Sequence, residues 1–134
     1  MGEHMSRDYQ RTKRNPWILP HNLYRQTLYA IRDYNRIKEE YEYLIMGQPA
    51  EMDGQPKGTQ TGDPTAAIAA KAERLHNRIR AIEDAKSVIP KEYMKGIWDN
   101  IMYGYSFPDY AHRNTYSYQK AHYVYEVARR LTLI

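Results

Sequence analysis

Cysteine is missing from this chain of 134 residues, and phenylalanine occurs only once. Without cysteine the chain can form neither disulfides nor thiolate metal sites, and it has no cysteine nucleophile; this composition fits a reducing cytoplasm. No stretch approaches the roughly 18 consecutive apolar residues that a membrane-spanning helix needs, and no apolar signal-peptide core follows the basic N-terminus. These absences predict a cytoplasmic protein with no membrane partner.

Sequence patterns typical of catalytic or metal sites are also missing. No pair of histidines has the His-Glu-x-x-His spacing that places two imidazoles on one helix face, and the histidines beyond position 4 are scattered: His21, His76, His112 and His122. Lys57-Gly58-Thr59 lacks the preceding strand and the full pattern of a phosphate-binding loop. We therefore predict a protein that is not an enzyme, with no catalytic residue, metal or cofactor.

The residues that are present favour a helical binding protein. Hydrophobic residues make up 42% of the chain and charged residues 27%, close to the averages for globular domains. A net charge of +4 and a pI near 9.2 favour a polyanionic partner, although many ordinary domains are as basic. Fourteen tyrosines favour surfaces that are half buried or that make contacts, because each ring is apolar and each hydroxyl is polar.

The N-terminal residues are predicted to form a basic arm. Residues 1–4 resemble a cloning remnant, and residues 6–19 are basic without a regular pattern. Asn15-Pro16 and Leu19-Pro20 disfavour a helix before position 20. Residues 1–19 are thus predicted to be an arm, and residues 20–134 a single helical domain.

Two long helices are predicted on either side of a flexible loop. Apolar residues recur every three or four positions from residue 20 to residue 46, and residues 47–63 contain four glycines and two prolines. Asp63-Pro64 is a strong helix start, and Pro90 ends the second helix, about 64–89. Along it a seam repeats with a mean step of 3.5: Ile68, Ala72, Leu75, Ile79, Ile82, Lys86 and Ile89. The seam predicts either an antiparallel hairpin with the first helix or pairing with a second copy.

The C-terminal part is predicted to be a pair of shorter helices arranged like a helix-turn-helix. The first helix covers about 90–103 and ends at Gly104, a residue type that favours a left-handed C-cap. The second covers about 115–132, with an apolar stripe through Tyr118, Val124 and Leu131. The predicted fold class is therefore all-α.

This C-terminal part resembles a known family. The stretch Ile89-Pro90-Lys91-Glu92-Tyr93-Met94-Lys95-Gly96-Ile97-Trp98, followed by a basic aromatic helix ending Val127-Ala128-Arg129-Arg130-Leu131, resembles phage late-gene transcriptional regulators of the RinA/ArpU type. That family is similar to the helix-turn-helix of sigma factor region four. The long helical hairpin also looks like uncharacterised phage proteins of Firmicutes. The resemblance implies a phage or prophage transcriptional regulator in the bacterial host's cytoplasm, with its last helix in the DNA major groove.

The resemblance also implies which residues contact DNA. The start of the last helix would meet the bases, through Arg113, Asn114, Tyr116, Ser117 and Lys120. Arg129 and Arg130 would sit near phosphates, although cations at a helix C-terminus are equally well explained by the helix dipole. Further phosphate contacts are predicted at basic residues of the arm and of the second long helix, unless these residues simply form a solvated face: Arg11, Lys13, Arg14, Lys71, Arg74 and Arg78.

Three functions remain open at this level. The first is the DNA-binding regulator, with a second copy of the chain and host RNA polymerase as candidate partners. The second is a protein-binding inhibitor of a host defence nuclease, in the manner of anti-CRISPR proteins, because tyrosine-rich faces suit protein interfaces. The third is a packaging or structural subunit of a virion.

Overall fold

The computed structural model describes residues 8–47, 64–109 and 111–134, and within these ranges it contains five α-helices and no strand. The predicted all-α fold class is confirmed. The helices are α1 (His21–Arg32), α2 (Tyr34–Ile45), α3 (Pro64–Asp84), α4 (Lys91–Tyr103) and α5 (Arg113–Arg130). Residues 1–7, with the predicted remnant, and residues 48–63 of the predicted flexible loop lie outside the described residues.

The first long helix is bent into two at Asp33. We expected one helix over about 20–46, but Asp33 has a ψ of 0° and separates α1 from α2. The hydrogen-bond ladder continues across the bend, since the Asp33 amide donates to the Tyr29 carbonyl at 3.1 Å. Aspartate has a low helix propensity, and this carboxylate accepts from Arg36 at 2.8 Å. The bend lets α1 pack on α4 and α5 while α2 follows α3.

Helices α2 and α3 run antiparallel. The Tyr34 hydroxyl donates to the Glu83 carboxylate, and seven residues further along α2 the Tyr41 ring packs against His76. Residues further along α2 therefore contact residues that lie earlier in α3, at a similar spacing. Lys71 and Glu40 form an ion pair of 2.6 Å between the same two helices. The second half of the first long helix, α2, therefore packs along α3.

The α3 seam is covered from within the chain along most of its length. Leu75, Ile79 and Ile82 are buried, whereas Ile68 near the helix start is 37% exposed. The helix ends in a 3-10 turn (Ala85–Val88) before the extended Ile89 and Pro90, as the proline predicts. Lys86 of that turn lies 4.1 Å from the Trp98 ring centroid, a cation–π contact. The seam of α3 therefore packs against other helices of the same chain, which is one of the two pairings that the sequence predicts.

Helix α5 forms the centre of the core. Its side chains Tyr116, Tyr123 and Val127 are fully buried, and the helix contacts α1, α3, α4 and the 3-10 turn. The Tyr123 hydroxyl donates to the Ile82 carbonyl at 2.8 Å, which joins α5 to the end of α3. α4 ends at Gly104 with a φ of 76°, the left-handed cap that the sequence predicted. α5 begins at Arg113, two residues before the predicted start.

Residues 8–19 of the predicted basic arm form no helix and pack on the helices. Gln10 exchanges two hydrogen bonds with the backbone of Leu19, at 2.8 and 3.0 Å, and the Leu19 side chain is buried. The Arg32 guanidinium binds the Asp8 carboxylate at 2.7 Å. The Trp17 ring stacks on His122 of α5, with centroids 4.0 Å apart. The apolar Trp17 and Leu19 bring this basic segment onto the core.

No helix within the described ranges has both the length and the apolar character that crossing a membrane requires.

Gly96 permits the closest contact between α4 and the α4–α5 connection. This glycine is buried within α4, and a Cβ atom there would lie 2.8 Å from the Pro108 Cδ atom and 2.9 Å from the Tyr116 Cε1 atom. Both distances are shorter than van der Waals contact. The absence of a side chain at Gly96 thus allows Pro108 and Tyr116 to pack against α4.

We predict that Gly96→Ala destabilises the protein. Overpacking of this kind costs about 1–3 kcal/mol, which outweighs the gain of up to about 1 kcal/mol from the better helix propensity of alanine. The urea midpoint should fall while the m-value stays constant. Lys91→Ala, an exposed change in the first turn of α4, should leave the midpoint almost unchanged. A midpoint raised by Gly96→Ala would contradict this packing.

Candidate functional site

A cavity of about 330 Å³ opens at the start of α5. Four separate parts of the chain form it: the N-terminal segment, α1, the end of α4 with the α4–α5 connection, and the first two turns of α5. Its lining residues are Tyr9, Arg11, Tyr24, Asn100, Ser106, Phe107, Pro108, Asp109, Ala111, Arg113, Asn114, Ser117 and Lys120. The cavity therefore depends on contacts between distant parts of the sequence.

The floor of the cavity is formed by buried polar side chains. Lys120 is only 5% exposed, and its ammonium donates to the Asn100 Oδ1 atom at 2.7 Å. The Asn100 amide in turn donates to the Tyr105 carbonyl at 2.7 Å, which holds the connection after α4. The buried Tyr24 hydroxyl donates to the Tyr9 carbonyl at 3.0 Å, and burial raises its pKa well above the usual range. Tyr24 therefore stays a neutral hydroxyl.

The α4–α5 connection supplies an apolar wall. The Phe107 ring stacks on Tyr116, with centroids 5.0 Å apart and ring planes 11° apart. Tyr93 of α4 packs edge-on against the same Tyr116 ring. Pro108 lies against Gly96, as described above. These contacts hold Phe107 and Pro108 in place at the cavity.

Exposed polar groups surround the mouth of the cavity. Asp109, Arg113 and Asn114 are exposed and line it. The α5 helix begins here, and the His112 Nδ1 atom caps it by accepting from the Asn114 amide at 2.9 Å. A helix N-terminus carries a partial positive charge, so it adds to the field of the cations.

Arg11 joins the N-terminal segment to the start of α5. Its guanidinium donates to the Asn114 carbonyl at 3.2 Å and to the Ser117 hydroxyl at 3.0 Å. The same guanidinium donates to the Lys13 carbonyl at 2.9 Å, so the basic stretch 11–14 lies across the start of α5. Arg14 is exposed and has a positive φ of 52°.

The charges around the cavity are mostly positive. Among its lining residues in the described ranges, Arg11, Arg113 and Lys120 are cationic and Asp109 is the one carboxylate. Lys13 and Arg14 are two exposed cations that follow Arg11 closely in the chain. Together with the N-terminus of α5, this distribution suits an anion.

Trp17 fixes the N-terminal segment beside the cavity. The Asn15 side chain bonds the Arg11 carbonyl at 2.6 Å and accepts from the Trp17 amide at 2.8 Å, which closes a compact turn. The Trp17 ring then contacts Tyr118 and stacks on His122. Residues 11–17 thus cover the outward face of α5 over its first three turns.

The structure brings together some of the predicted DNA-contacting residues and buries others. Arg113, Asn114 and Ser117 line the cavity together with Arg11, which bonds Asn114 and Ser117. Tyr116 is fully buried beneath Phe107, and Lys120 is buried against Asn100. For these two residues the predicted base contacts are corrected: Tyr116 belongs to the core and Lys120 lies at the floor of the cavity, so neither side chain is on the outer surface of α5.

Arg129 and Arg130 lie at the opposite end of α5, about 27 Å from its start for a helix of 18 residues. Both guanidinium groups donate to the Glu126 carboxylate, Arg130 at 2.9 Å. The hydrogen bond from Arg129 contributes most to lowering the pKa of the Glu126 carboxyl. Ion pairing with Glu126 and the helix C-terminus account for both residues. Arg78 lines a groove with Leu131 near this same end.

The remaining predicted phosphate contacts lie on the α2–α3 pair. Lys71 is bound to Glu40, and Arg74 is exposed on α3 one turn further along. Neither residue lines the cavity. The predicted cations are therefore spread over three places rather than along one continuous surface. In the part of the chain that the structure describes, no group of three metal-ligating side chains comes together.

Sequence reasoning missed most of the cavity. Tyr24, Asn100 and Phe107 line it, and no sequence pattern marks them as site residues. Their spacing carries no signal, because each belongs to a different element. Only the basic residues at 11–14 and 113–120 were noticeable from the sequence, and nothing indicated that they meet.

Comparison with known proteins finds no family model, no curated protein and no solved structure that matches this chain. The resemblance to phage late-gene regulators therefore stays a prediction.

We predict that acidification loosens the N-terminal segment through His122. Burial lowers the pKa of His122, so the unfolded state binds more protons between the folded and unfolded pKa values. The contribution of neutral, buried His122 to the free energy of unfolding is fully present above the ordinary histidine pKa near 6.5. It is lost as the pH falls below that value. One such group changes the free energy of unfolding by at most about 1.4 kcal/mol per pH unit.

The measurement is the free energy of unfolding from pH 7.5 to pH 5.5, in the wild type and in His122→Phe, which keeps a ring against Trp17. The variant should lose part of the pH dependence. His21→Phe, at an exposed histidine, should keep all of it. Equal slopes in the wild type and His122→Phe would contradict this role of His122.

Proposed function

We propose that the protein binds DNA through phosphate contacts at the start of α5 and acts as a regulator in a phage or prophage. The observation that carries this proposal is that Arg11 and Arg113 line one cavity at the N-terminus of α5, with the exposed cations Lys13 and Arg14 two and three residues along the chain from Arg11. Arginine and lysine side chains, backbone amides and helix N-termini are the groups that proteins use on DNA phosphates. Residues from both ends of the chain thus form one surface suited to a polyanion.

The proposed mode of binding differs from insertion of a recognition helix. In helix-turn-helix proteins the second helix places one face in the major groove. Here α5 is surrounded by α1, α3, α4 and the 3-10 turn, and residues 11–17 lie over its outward face. We therefore propose that the start of α5, with the segment across it, contacts the phosphate backbone. Binding of this kind has little base specificity.

A further partner would supply the choice of promoter. Phosphate contacts position a protein on DNA but carry no sequence information directly. Host RNA polymerase, which reads promoters itself, is a suitable partner for a protein of this kind. We propose this partnership, and a homodimer, as extensions of the DNA-binding function.

The prediction is that Lys13→Ala, Arg14→Asn and Arg113→Ala together weaken DNA binding by roughly tenfold or more, because hydrogen bonds to charged groups contribute about 1.5–3 kcal/mol each. Asparagine is chosen at position 14 because it tolerates a positive φ. The measurement is the dissociation constant for duplex DNA by fluorescence anisotropy at several salt concentrations. The slope of log affinity against log salt should become shallower by about 0.9 for each phosphate that the variant no longer neutralises.

The matched control removes three exposed cations elsewhere: Arg74→Ala, Lys91→Ala and Lys95→Ala. It makes the same change in net charge and should reduce binding much less. If both triple variants bind equally weakly, net charge is responsible and the α5 start is not the binding surface. Failure of the wild type to bind at about 50 mM salt and micromolar protein would refute DNA binding.

A second candidate function, an inhibitor that binds a host defence protein, is favoured by exposed apolar side chains at the end of α2 and the start of α3. Tyr43, Ile45 and Met46 at the end of α2 are 51%, 55% and 78% exposed, and Ile68 at the start of α3 is exposed as well. Exposed apolar side chains grouped in this way are typical of protein interfaces.

The test of this second function is capture of a defence nuclease by the immobilised protein in high salt after nucleic acid has been digested. Tyr43→Ala with Met46→Ala should abolish the capture and release the nuclease from inhibition. The triple variant Lys13→Ala, Arg14→Asn, Arg113→Ala should leave it intact. If the triple variant loses the capture and the Tyr43 and Met46 variant keeps it, the partner binds at the proposed DNA-binding surface instead.

A further inference from the structure

We propose that the cavity at the start of α5 binds a nucleoside monophosphate, with the phosphate at the arginines and the base against the aromatic wall. This inference goes beyond DNA binding, because a free nucleotide would occupy a different place from a duplex lying across the surface. It rests on the size of the cavity, the position of its charges and the chemistry of its walls.

The size of the cavity matches a small ligand. Ligand pockets have volumes of about 300–1,000 Å³, and this one has about 330 Å³. Its floor at Tyr24, Asn100 and Lys120 is buried, while its mouth at Asp109 and Arg113 is exposed. A ligand of the size of one nucleotide can enter from the mouth, whereas a folded duplex cannot.

The cations provide a phosphate site. Arg11 is held by its bonds to Asn114 and Ser117, so its position is fixed before any ligand arrives. Arg113 stands one residue after the helix cap His112, at the positive end of the α5 dipole. The exposed guanidinium of Arg113 can bind two phosphate oxygens at once. The Nε and Nη1 atoms of Arg11 are used in its bonds within the protein, so Arg11 can offer a phosphate its Nη2 atom.

The ammonium of Lys120 adds a positive charge at the floor of the cavity. Lys120 is 5% exposed and lines the cavity, and Asn100 orients its ammonium. A phosphate brought into the cavity would come under the attraction of three cations, opposed by the carboxylate of Asp109.

The walls provide a place for a planar base. Phe107 is held against Tyr116, Pro108 is held against Gly96, and Tyr9 closes the other side of the cavity. Rings held in this way offer stacking surface at little entropic cost, and base–aromatic stacking is tolerant of base identity. Asp109 and Ser106 at the mouth can accept hydrogen bonds from a ribose hydroxyl or an amino group.

The same chemistry could come from two sources: a free nucleotide, or the 5′-phosphorylated terminal nucleotide of a DNA strand. Both offer a phosphate monoester attached to a nucleoside. The first source needs only the cavity, whereas the second also needs the proposed DNA-binding surface beside it. Separate ligands distinguish the two sources.

The test is isothermal titration of the full chain with adenosine 5′-monophosphate, adenosine, ribose 5-phosphate and inorganic phosphate. The nucleotide should bind at least fivefold more tightly than each of the three fragments. Arg113→Ala should weaken nucleotide binding at least fivefold, and Arg74→Ala should not change it. Lys120→Met should abolish nucleotide binding, provided that its circular dichroism spectrum matches that of the wild type. If Lys120→Met does not fold, the result for Arg113→Ala decides whether the cavity binds the nucleotide.

No heat from the nucleotide at millimolar concentration would overturn the proposal, as would phosphate binding as tightly as the nucleotide. Equal binding by Arg113→Ala and the wild type would also overturn it. A 5′-phosphorylated single strand that binds more tightly than its 5′-hydroxyl counterpart, and competes with the free nucleotide, would assign the site to strand ends. Loss of duplex binding with retained nucleotide binding would refute the DNA-binding function alone.

Discussion

Helix α5 carries three completely buried side chains, Tyr116, Tyr123 and Val127. The rest of the structure is arranged around them. A single helix cannot bury so wide a face against one neighbour, so α1, α3 and α4 surround α5 and the bend at Asp33 directs α1 onto it. Only a narrow outward face of α5 remains, and the N-terminal segment covers its first half. The helix that the family resemblance assigned to the DNA groove is therefore the central helix of the core.

The same arrangement explains why polar groups collect at one end of α5. Full burial begins at Tyr116, so the first turn of the helix stays at the surface with its amides and cap. The connection after α4 must cross in front of this end, and Asn100 holds it there by bonding the Tyr105 carbonyl. A cavity with a buried lysine and two arginines is left between these parts. The proposed nucleotide and DNA phosphates would both use this positive end of the molecule.

Local signals predicted the boundaries that depend on backbone chemistry. Pro64 was expected to open a helix and does so, and Gly104 ends α4 with the positive φ that glycine favours. The bend at Asp33 was not predicted, because the stretch contains neither proline nor glycine. Arg113 and Ser117 were selected as site residues from a resemblance, and the cavity contains both, but Tyr116 between them is a core residue. Nothing in their spacing distinguishes these roles.

The sequence by itself determined the helical class and most helix ends, because periodicity, proline and glycine act over a few residues. It also determined that Arg11 and Arg113 are cations, but not that they are neighbours. Only the tertiary structure decided that, through the stacking of Trp17 on His122 and the bonds from Arg11 to Asn114 and Ser117. These contacts join the two ends of the chain, and their geometry depends on how the whole core packs around α5.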